Sequence, residues 1–304
     1  MRAGYMDVGS NFHIDQQPGY QFTLRPGQPN DAAACGKICY HAFKAISERH
    51  DFPPDFPSID VAQGLLDYTL SNPAIRSVVA EMAGEVVGSN FLWISETVAG
   101  VGPITIDPAC QNVTVGRQLM DWALDTARDA GVNSVRLVQA AYHNRSLALY
   151  TKMGFVAREP LSTMQGSVPR VAIPGYKARA ASEADVAACT RLHQSLNGYS
   201  REGDLRNAIA QGTAMVVEHD GRISGYTTQI AFFGHAVGES NEDIKALICA
   251  APEFAGPGFL LPTRNTALLL WCLEQGLKIV QPMTLMSQGF YNEPSGAFMP
   301  SILY

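Results

Sequence analysis

Apolar residues recur at the spacing of an α-helix in four stretches of the first half of the chain. These stretches predict helices over residues 30–50, near 59–70, from about 115 to 131, and over 144–155. Asn30 or Asp31 can cap the first helix and Asn144 the last, because short polar side chains accept a hydrogen bond from a free helical N–H group. Gly131 and Gly154 are suited to end the third and fourth helices.

Short β-prone segments between these helices predict strands. The segments are residues 20–26, a hairpin over 75–94 that turns around Gly84, residues 101–108, and a buried strand at 133–141. The order is therefore strand, two helices, three strands, helix, strand, helix. This order predicts an α/β (α+β) fold in which a mixed, twisted sheet is flanked by helices.

The second half of the chain repeats spacings of the first half. Three short matches occur in the same order: Arg25, Asp31 and Cys35 with Arg179, Asp185 and Cys189; Glu81, Gly84 and Gly88 with Glu218, Gly221 and Gly225; and Asn144 and Gly154 with Asn265 and Gly276, to within one residue. Three matches in one order indicate a duplication better than any one of them alone. We therefore predict two tandem domains with the same fold.

The predicted domains are an N-terminal arm at residues 1–20, a first domain at 21–165 and a second domain at 176–304. The arm shows no sustained periodicity, and the boundary between the copies falls near residues 165–176. A chain of 304 residues with 46% hydrophobic content is long enough to bury the cores of two ordinary domains.

Charge and cysteine content argue against several classes of protein. The formal net charge is -6 without a basic block, which disfavours a nucleic-acid partner and suits a cationic one. The six cysteines are scattered, with no CxxC pair and no His cluster at metal spacing, so we expect reduced thiols and no metal site. Because there is neither a long apolar run nor a signal-peptide pattern, we expect a cytoplasmic protein without a membrane partner.

Residues 107–120, DPACQNVTVGRQLM, have the features of an anion-binding loop. A strand followed by a helix from Val115 presents free N–H groups at the positive end of that helix, where a diphosphate would fit. Gly116 lets the backbone approach a ligand closely, and Gln111 and Arg117 can add side-chain contacts. Any β–α junction shares this arrangement, so local chemistry alone leaves an ordinary connection as the alternative.

Together with residues 144–155, NRSLALYTKMGF, this segment resembles the GNAT superfamily of N-acetyltransferases. The first segment is similar to the family's Q/R-x-x-G-x-G/A acetyl-CoA loop, and the second to its Asn-to-Tyr helix that ends in Gly-Phe. The resemblance implies that backbone amides of the loop hold the CoA pyrophosphate, namely those of Gln111, Asn112, Val113, Thr114, Val115, Gly116 and Arg117. It also implies that the pantetheine arm pairs with a strand formed by Ile104, Thr105 and Ile106.

Thr114 departs from the family's pattern, because it stands where the first glycine of the loop is expected. If the position needs a positive φ, a β-branched residue is costly there and the loop loses phosphate contacts. If φ is ordinary, the threonine hydroxyl can add a donor. Since the other positions fit, we expect acetyl-CoA to bind, with weakened affinity.

The resemblance implies that an amine attacks the thioester carbonyl carbon directly, through a tetrahedral oxyanion. Asn144 would lie beside the pantetheine arm, and Tyr150 near the sulfur as the acid for the leaving thiolate. The alternatives are a plain helix cap for Asn144 and an aromatic packing residue for Tyr150. Glu96, just after a strand, and His143 are candidate general bases; their alternative is an ordinary solvated side chain.

The second copy lacks the motifs of the first. Its expected loop, residues 232–251, has no Q-x-x-G-x-G pattern, and three acids stand near the start of its helix: Glu239, Glu242 and Asp243. Such acids repel a diphosphate, although compensation of the helix dipole is the alternative role. Trp271, six residues after Asn265, stands at the position of Tyr150 and is no useful proton donor. We therefore predict a degenerate GNAT-like domain.

The sequence thus predicts a transferase that moves an acetyl group from the co-substrate acetyl-CoA to a primary amine of a small molecule or peptide. His50 and the Pro-rich loop at residues 51–57 lie where the family builds its acceptor pocket. The alternative is a non-catalytic protein that binds acyl-CoA or another small ligand. Thr114 favours that alternative, whereas Asn144 and Tyr150 favour the enzyme.

Overall fold

A computed structural model gives the fold and describes residues 21–110 and 114–303. The predicted arm at residues 1–20 lies outside the described residues, as do Gln111, Asn112 and Val113 of the predicted cofactor loop.

The first repeat contains strands and helices in the predicted order. They are β1 (Thr23–Pro26), α1 (Ala32–Arg49), α2 (Ile59–Ser71), β2 (Ile75–Met82), β3 (Glu85–Ser95), β4 (Val98–Val101), β5 (Thr105–Ile106), α3 (Val115–Asp129), β6 (Ser134–Ala140), α4 (Asn144–Lys152) and β7 (Val156–Gln165). The strand predicted at residues 101–108 is in fact divided into β4 and β5, with Gly102 between them at a φ of 134°.

The second repeat follows nearly the same order. Its elements are β8 (Tyr176–Ala180), α5 (Val186–Asn197), α6 (Glu202–Ala210), β9 (Met215–His219), β10 (Arg222–Thr227), β11 (Ala236–Gly238), α7 (Asn241–Ala250), β12 (Phe259–Pro262), α8 (Thr266–Glu274), β13 (Lys278–Gly289) and β14 (Ala297–Met299). The mixed α/β fold and the duplication predicted from the sequence are therefore confirmed.

The spacing match around Arg25 corresponds to a partly buried ion cluster. The Arg25 guanidinium donates to both carboxylate oxygens of Asp31, at 2.8 and 2.9 Å, and its Nε donates to Glu81 at 2.8 Å. Asp31 also accepts the backbone N–H of Gln28, so it closes the turn at Pro29–Asp31 that precedes α1. The second repeat builds the same cluster from Arg179, Asp185 and Glu218.

The described residues divide into two compact units that do not follow the two repeats. One unit contains the described parts of Met1–Ala45, Phe56–Phe91 and Pro103–Leu124. Its strands lie in the order β1, β2, β3, with β5 antiparallel to β3. Its core is a cluster of buried aliphatic side chains: Leu24, Val78, Ala80, Val87, Val115 and Leu119.

The other unit contains Ile46–Asp55, Leu92–Gly102 and the described part of Asp125–Tyr304. One of its sheets has the strand order β4, β6, β13, β7, β12, and the other has the order β14, β11, β10, β9, β8. Both sheets contribute to buried cores, which include Phe259, Leu261, Ile244 and Leu247.

Strands of the two repeats alternate in the first of these sheets. β13 lies antiparallel between β6 and β7, and β7 in turn lies between β13 and β12. The β7–β13 register is symmetric about the pair Leu161 and Met283: Pro160 stands opposite Thr284, and Ser162 opposite Pro282. Each repeat therefore supplies an inner strand to the other across a local two-fold relationship.

Candidate active site

The predicted cofactor segment begins at a short strand in the first unit, β5, which is paired along one edge. In the described part of the chain, β5 pairs with β3 alone, so the opposite edge of β5 has no strand partner there. Gly88 allows this close pairing, because a Cβ at Gly88 would lie 2.9 Å from the carbonyl oxygen of Thr105. Ile104 and Ile106 pack on the apolar core, which fixes the strand. An extended ligand can pair with the remaining N–H and C=O groups of such an edge.

Thr114 stands at the start of α3. Its carbonyl oxygen accepts the N–H of Gln118 at 3.1 Å, the first bond of the helical pattern, and the helix itself begins at Val115. Thr114 is therefore the N-cap residue, a position at which threonine is favoured. This explains physically how the chain accommodates threonine in place of the glycine of the family pattern.

The first turn of α3 combines a buried face with an exposed cation. Val115 is fully buried and Gly116 is buried, whereas the Arg117 side chain is 62% exposed. The Nε of Arg117 lies 3.7 Å from Asp121, too far for a hydrogen bond. The first N–H groups of a helix have no acceptor within it, so this turn offers backbone donors and a positive side chain to an anion.

In the second unit, β6 leads directly into α4, which carries three of the predicted site residues. His143, not Asn144, occupies the N-cap position, and its carbonyl oxygen accepts the N–H of Leu147 at 3.2 Å. The expectation that Asn144 caps the helix is therefore wrong: Asn144 is the first residue of α4, and it is exposed. Its amide is thus accessible to a ligand. Ser146 fixes the turn by donating to Gln139 at 2.8 Å.

Tyr150 lies on the buried side of α4. It is 7% exposed, and its ring centroid is 6.0 Å from that of Phe155. Burial raises the pKa of the Tyr150 hydroxyl, so the group remains protonated at neutral pH. It is therefore in the form that can donate a proton, although burial weakens it as an acid.

The two candidate bases lie far apart. Glu96 is exposed in the two-residue turn between β3 and β4. Val98 stands beside Ser134 in the parallel β4–β6 pair, so Glu96 lies near the first residue of β6, whereas His143 follows the last. At about 3.3 Å per residue, the length of β6 separates them by roughly 20 Å. The structure thus does not bring Glu96 together with His143.

His143 is held in its neutral form. Burial lowers its pKa to about 4, and the nearby positive charges of Arg145, His50 and Arg49 lower it further in the same direction. A neutral imidazole can accept a proton, which is the state that a general base needs at physiological pH.

Sequence reasoning missed a cluster around Tyr142, which we call the Asp55 cluster: Asp55, His50, Phe52, Tyr142 and Gln281. The ring of Tyr142 stacks on Phe52 with centroids 4.2 Å apart, and its hydroxyl donates to Gln281 at 3.2 Å. The Gln281 amide donates to Asp55 at 3.3 Å. Burial raises the pKa of Asp55, while the bond from Gln281 acts in the opposite direction. The sequence predicts that His50 and the loop at residues 51–57 contribute to an acceptor pocket, but no local pattern indicates that Gln281 joins them.

The three acids near the start of α7 in the second repeat all have partners. Asp243 accepts the backbone N–H of Ser240 at 2.8 Å and closes a capping box at the start of α7. Glu239 pairs with Arg222 at 2.6 Å, and Glu242 with Lys245 at 3.0 Å. These acids therefore stabilise the helix start in the way that dipole compensation predicts.

The sequence comparison predicted that Trp271 stands at the position of Tyr150. The structure shows that this prediction is wrong. Asn265 is the N-cap of α8, while Asn144 is the first residue inside α4. Counted from the start of each helix, Cys272 is the equivalent of Tyr150. Cys272 is fully buried, and burial raises its pKa to about 12. The position equivalent to Tyr150 thus lacks a useful acid, as predicted, but the residue at that position is Cys272 and not Trp271.

Three further findings concern metal ligands, cysteines and membrane-spanning helices. Among the described residues, no group of three or more His, Cys, Asp or Glu side chains is arranged to hold a metal ion. All six cysteines are described and are free thiols. No helix within residues 21–110 and 114–303 combines the length and apolar content needed to span a membrane.

Comparison with known proteins agrees with the fold. Residues 43–155 match the sequence profile of the acetyltransferase (GNAT) family. The "IAA acetyltransferase" of Azospirillum brasilense is 37% identical over 100 residues, which make up 32% of this chain and 65% of that protein. The chain therefore aligns with just under two thirds of the length of this relative.

Two solved structures cover nearly the whole chain. A proposed acetyltransferase from Pyrococcus horikoshii superposes with a TM-score of 0.71 at 16% identity, covering 96% of both chains. A tandem GNAT protein from the clavulanic acid biosynthesis pathway superposes with a TM-score of 0.55 at 15% identity, covering 88% of this chain and 98% of that one. The protein has a tandem GNAT fold. Within its N-terminal repeat, residues 43–155 are similar to the acetyltransferase (GNAT) family.

Proposed function

We propose that this protein transfers the acetyl group of acetyl-CoA to a primary amine. The observation that carries the proposal is the open edge of β5 followed by the N-terminus of α3, two features that suit an extended thioester arm and its diphosphate. The match of residues 43–155 to the acetyltransferase (GNAT) family supports it independently.

In this proposal the first turn of α3 binds the CoA pyrophosphate. The N–H groups of Val115, Gly116 and Arg117 face the diphosphate, and the exposed Arg117 guanidinium neutralises part of its charge. Gln111, Asn112 and Val113, outside the described residues, complete the loop. The pantetheine arm pairs along Ile104, Thr105 and Ile106.

The reaction then needs one acid and one base. The amine nitrogen attacks the carbonyl carbon of the thioester, a C–N bond forms, and the C–S bond breaks to release CoA thiolate. Tyr150 supplies the proton to the sulfur, because its buried hydroxyl is protonated at neutral pH. His143, neutral at this pH, accepts the proton that the attacking nitrogen loses, directly or through water. Glu96 lies too far from His143 to share this role.

We assign the acceptor to the Asp55 cluster. It combines a half-buried carboxylate with the stacked rings of Tyr142 and Phe52, and such a combination favours a positively charged amine. Asp55 can hold the ammonium group before it is deprotonated for attack. The formal net charge of -6 also favours the approach of a cationic acceptor. The acceptor is therefore an amine-bearing small molecule or peptide.

Calorimetric titration of the purified full chain with acetyl-CoA tests the cofactor site. We expect a dissociation constant below about 1 mM, several-fold weaker binding in Arg117→Gln, and wild-type binding in Arg128→Gln. Arg128 is a matched control, because it is an exposed arginine at the opposite end of α3. No heat of binding at millimolar acetyl-CoA, or equal loss in both variants, would contradict the proposed phosphate site.

Turnover is tested separately, by release of CoA thiol with a panel of diamines, monoamines and lysine peptides. Acetylation of cationic amines with a signal that requires both substrates supports the enzyme. Binding of acetyl-CoA without turnover of any amine would favour a non-catalytic acyl-CoA binding protein instead.

A further inference from the structure

A small cavity, partly open to solvent, lies within the second unit, apart from α4 and the Asp55 cluster. Its wall is formed by side chains of β6, of α5 and the residues after it, and of the segment after β13, including Arg136, His193, Asn197, Tyr199, Arg201 and Tyr291. About 20 Å³ is open to the centre of a water-sized molecule. This is room for one or two water molecules or for a small ion.

Arg136 is a buried cation without a carboxylate partner. It is 4% exposed, and its Nε and Nη1 donate to Ser134 at 3.2 Å and to Tyr199 at 2.9 Å. The guanidinium carbon also lies 4.4 Å from the ring centroid of Tyr199 and 5.1 Å from that of Tyr291. Within the described residues no acidic side chain forms an ion pair with Arg136. A buried positive charge without an anion is costly, so the wall is suited to receive one.

Arg201 adds a second positive charge to the same wall. It is 4% exposed, and its Nε donates to Asp204 at 2.8 Å, a carboxylate that is itself 39% exposed. No aspartate or glutamate is among the residues that line the cavity. His193 is neutral, since burial lowers its pKa to about 4. Asp204 thus offsets the charge of Arg201, whereas Arg136 contributes a positive charge that makes no ion pair with a described residue.

Two hydrogen-bond donors of the wall are unsatisfied. The Nδ2 atom of Asn197 and the hydroxyl of Tyr291 are buried and have no hydrogen-bond partner among the described residues. Asn197 is only 4% exposed, so bulk water does not serve it. Buried polar groups left without partners cost free energy, and each such group in a folded protein needs an explanation. A ligand with several acceptor oxygens would satisfy both.

We propose that this cavity is a binding site for a small carboxylate anion, held by the Arg136 guanidinium, the Asn197 amide and the Tyr291 hydroxyl. The planar guanidinium matches the two oxygens of a carboxylate, and its Nη2 makes no hydrogen bond to a described residue. The amide and the hydroxyl supply the remaining donors. The small volume suits the carboxylate group of an anion such as formate or acetate.

Thermal unfolding of the full chain tests the site with sodium formate, acetate and succinate against sodium chloride at equal ionic strength. We expect formate or acetate to raise the melting temperature saturably, because a ligand of the folded state stabilises it by mass action. A rise with succinate alone would contradict a site that suits formate or acetate. Equal curves in all four salts would overturn the proposal.

Tyr291→Phe distinguishes a binding site from a general salt effect. The substitution removes one unsatisfied hydroxyl and leaves the ring, so the fold is retained. We expect about tenfold weaker formate or acetate binding, the effect of one hydrogen bond to a charged group. Tyr176→Phe is the control, because Tyr176 lies in the same repeat but does not line the cavity. Equal anion affinity in both variants, or only water in the cavity of a crystal grown in formate, would refute the assignment.

Discussion

The Tyr142 hydroxyl lies 3.2 Å from the side-chain oxygen of Gln281, and this bond joins the end of β6 to an inner strand from the other repeat. At the equivalent positions, the Arg264 Nε lies 2.7 Å from Glu159. The local two-fold relationship thus holds for side-chain bonds as well as for strand register. The second repeat has an ion pair where the first has a neutral pair next to Asp55. In the first repeat, the hydrogen bonds that join Tyr142, Gln281 and Asp55 therefore include no cation that would neutralise the Asp55 carboxylate.

Tyr150→Phe should lower kcat by about 10²-fold or more while leaving acetyl-CoA affinity nearly unchanged. The expectation follows because a general acid acts in the transition state, whereas the phenyl ring preserves the packing against Phe155. Steady-state kinetics and calorimetry on the same preparation measure the two effects. Tyr68→Phe on the exposed face of α2 is the control. An unchanged kcat would reduce Tyr150 to a packing residue.

Asp55→Asn should raise KM for a cationic amine by about tenfold, because the carboxylate charge is lost while the hydrogen bond from Gln281 can be kept. Asp51→Asn changes an exposed acid of the same loop, at a φ of 59° that asparagine tolerates, and should behave like wild type. Initial rates over a range of amine concentrations decide between them. Similar KM values for all three proteins would remove Asp55 from the acceptor site.

Thr114→Ala should destabilise the protein by about 1 kcal/mol, and Thr114→Gly by a few tenths, because alanine cannot accept the N–H bonds that an N-cap side chain accepts. Thr114→Ser should be nearly neutral. Urea unfolding monitored by circular dichroism measures these differences. If glycine also tightens acetyl-CoA binding, threonine at this position restricts the loop. If alanine is neutral, the N-cap assignment is wrong.

Acidification should destabilise the folded protein through His143. Its pKa is about 4 in the folded state against about 6.5 in the unfolded chain, so the unfolded state binds more protons between these values. Stability should therefore fall as the pH drops from about 6.5 to about 4, and change little through this group above 6.5. Urea midpoints across this range should fall less steeply for His143→Gln than for His41→Gln, which replaces an exposed histidine of α1. Parallel profiles would show that His143 is not held neutral.

Much of the fold could be predicted from the sequence because its signals are local. Helical spacing gave the helices within a few residues, and the shared spacing of Arg25 and Arg179 corresponds to matching ion clusters. Two predictions were wrong by one residue, because each placed a helix start one position away from where it lies. They are the cap of α4 at Asn144 and the equivalence of Trp271 with Tyr150. Helix ends depend on cap geometry, and composition specifies that geometry only to within a residue or two.

The unpredicted parts are non-local. Gln281 and Asp55 are 226 positions apart in the chain, and no periodicity relates them. The position of β13 between β6 and β7 depends on which strand edges are available after folding, which a strand's own residues do not encode. The apolar residues on either side of Arg136 in the sequence predict that it lies in a buried strand. Its lack of an acidic partner could not be predicted, because that depends on residues that are distant in the sequence and close in space.

The exchange of β13 and β7 also constrains biosynthesis. Until the ribosome has made Lys278–Gly289, β6 and β7 of the first repeat lack the strand that lies between them. An N-terminal fragment that ends before this strand would expose two apolar strand edges and is expected to aggregate. Selection can therefore maintain the strands of the second repeat independently of any cofactor chemistry in that repeat, because β6 and β7 of the first repeat need the strand between them.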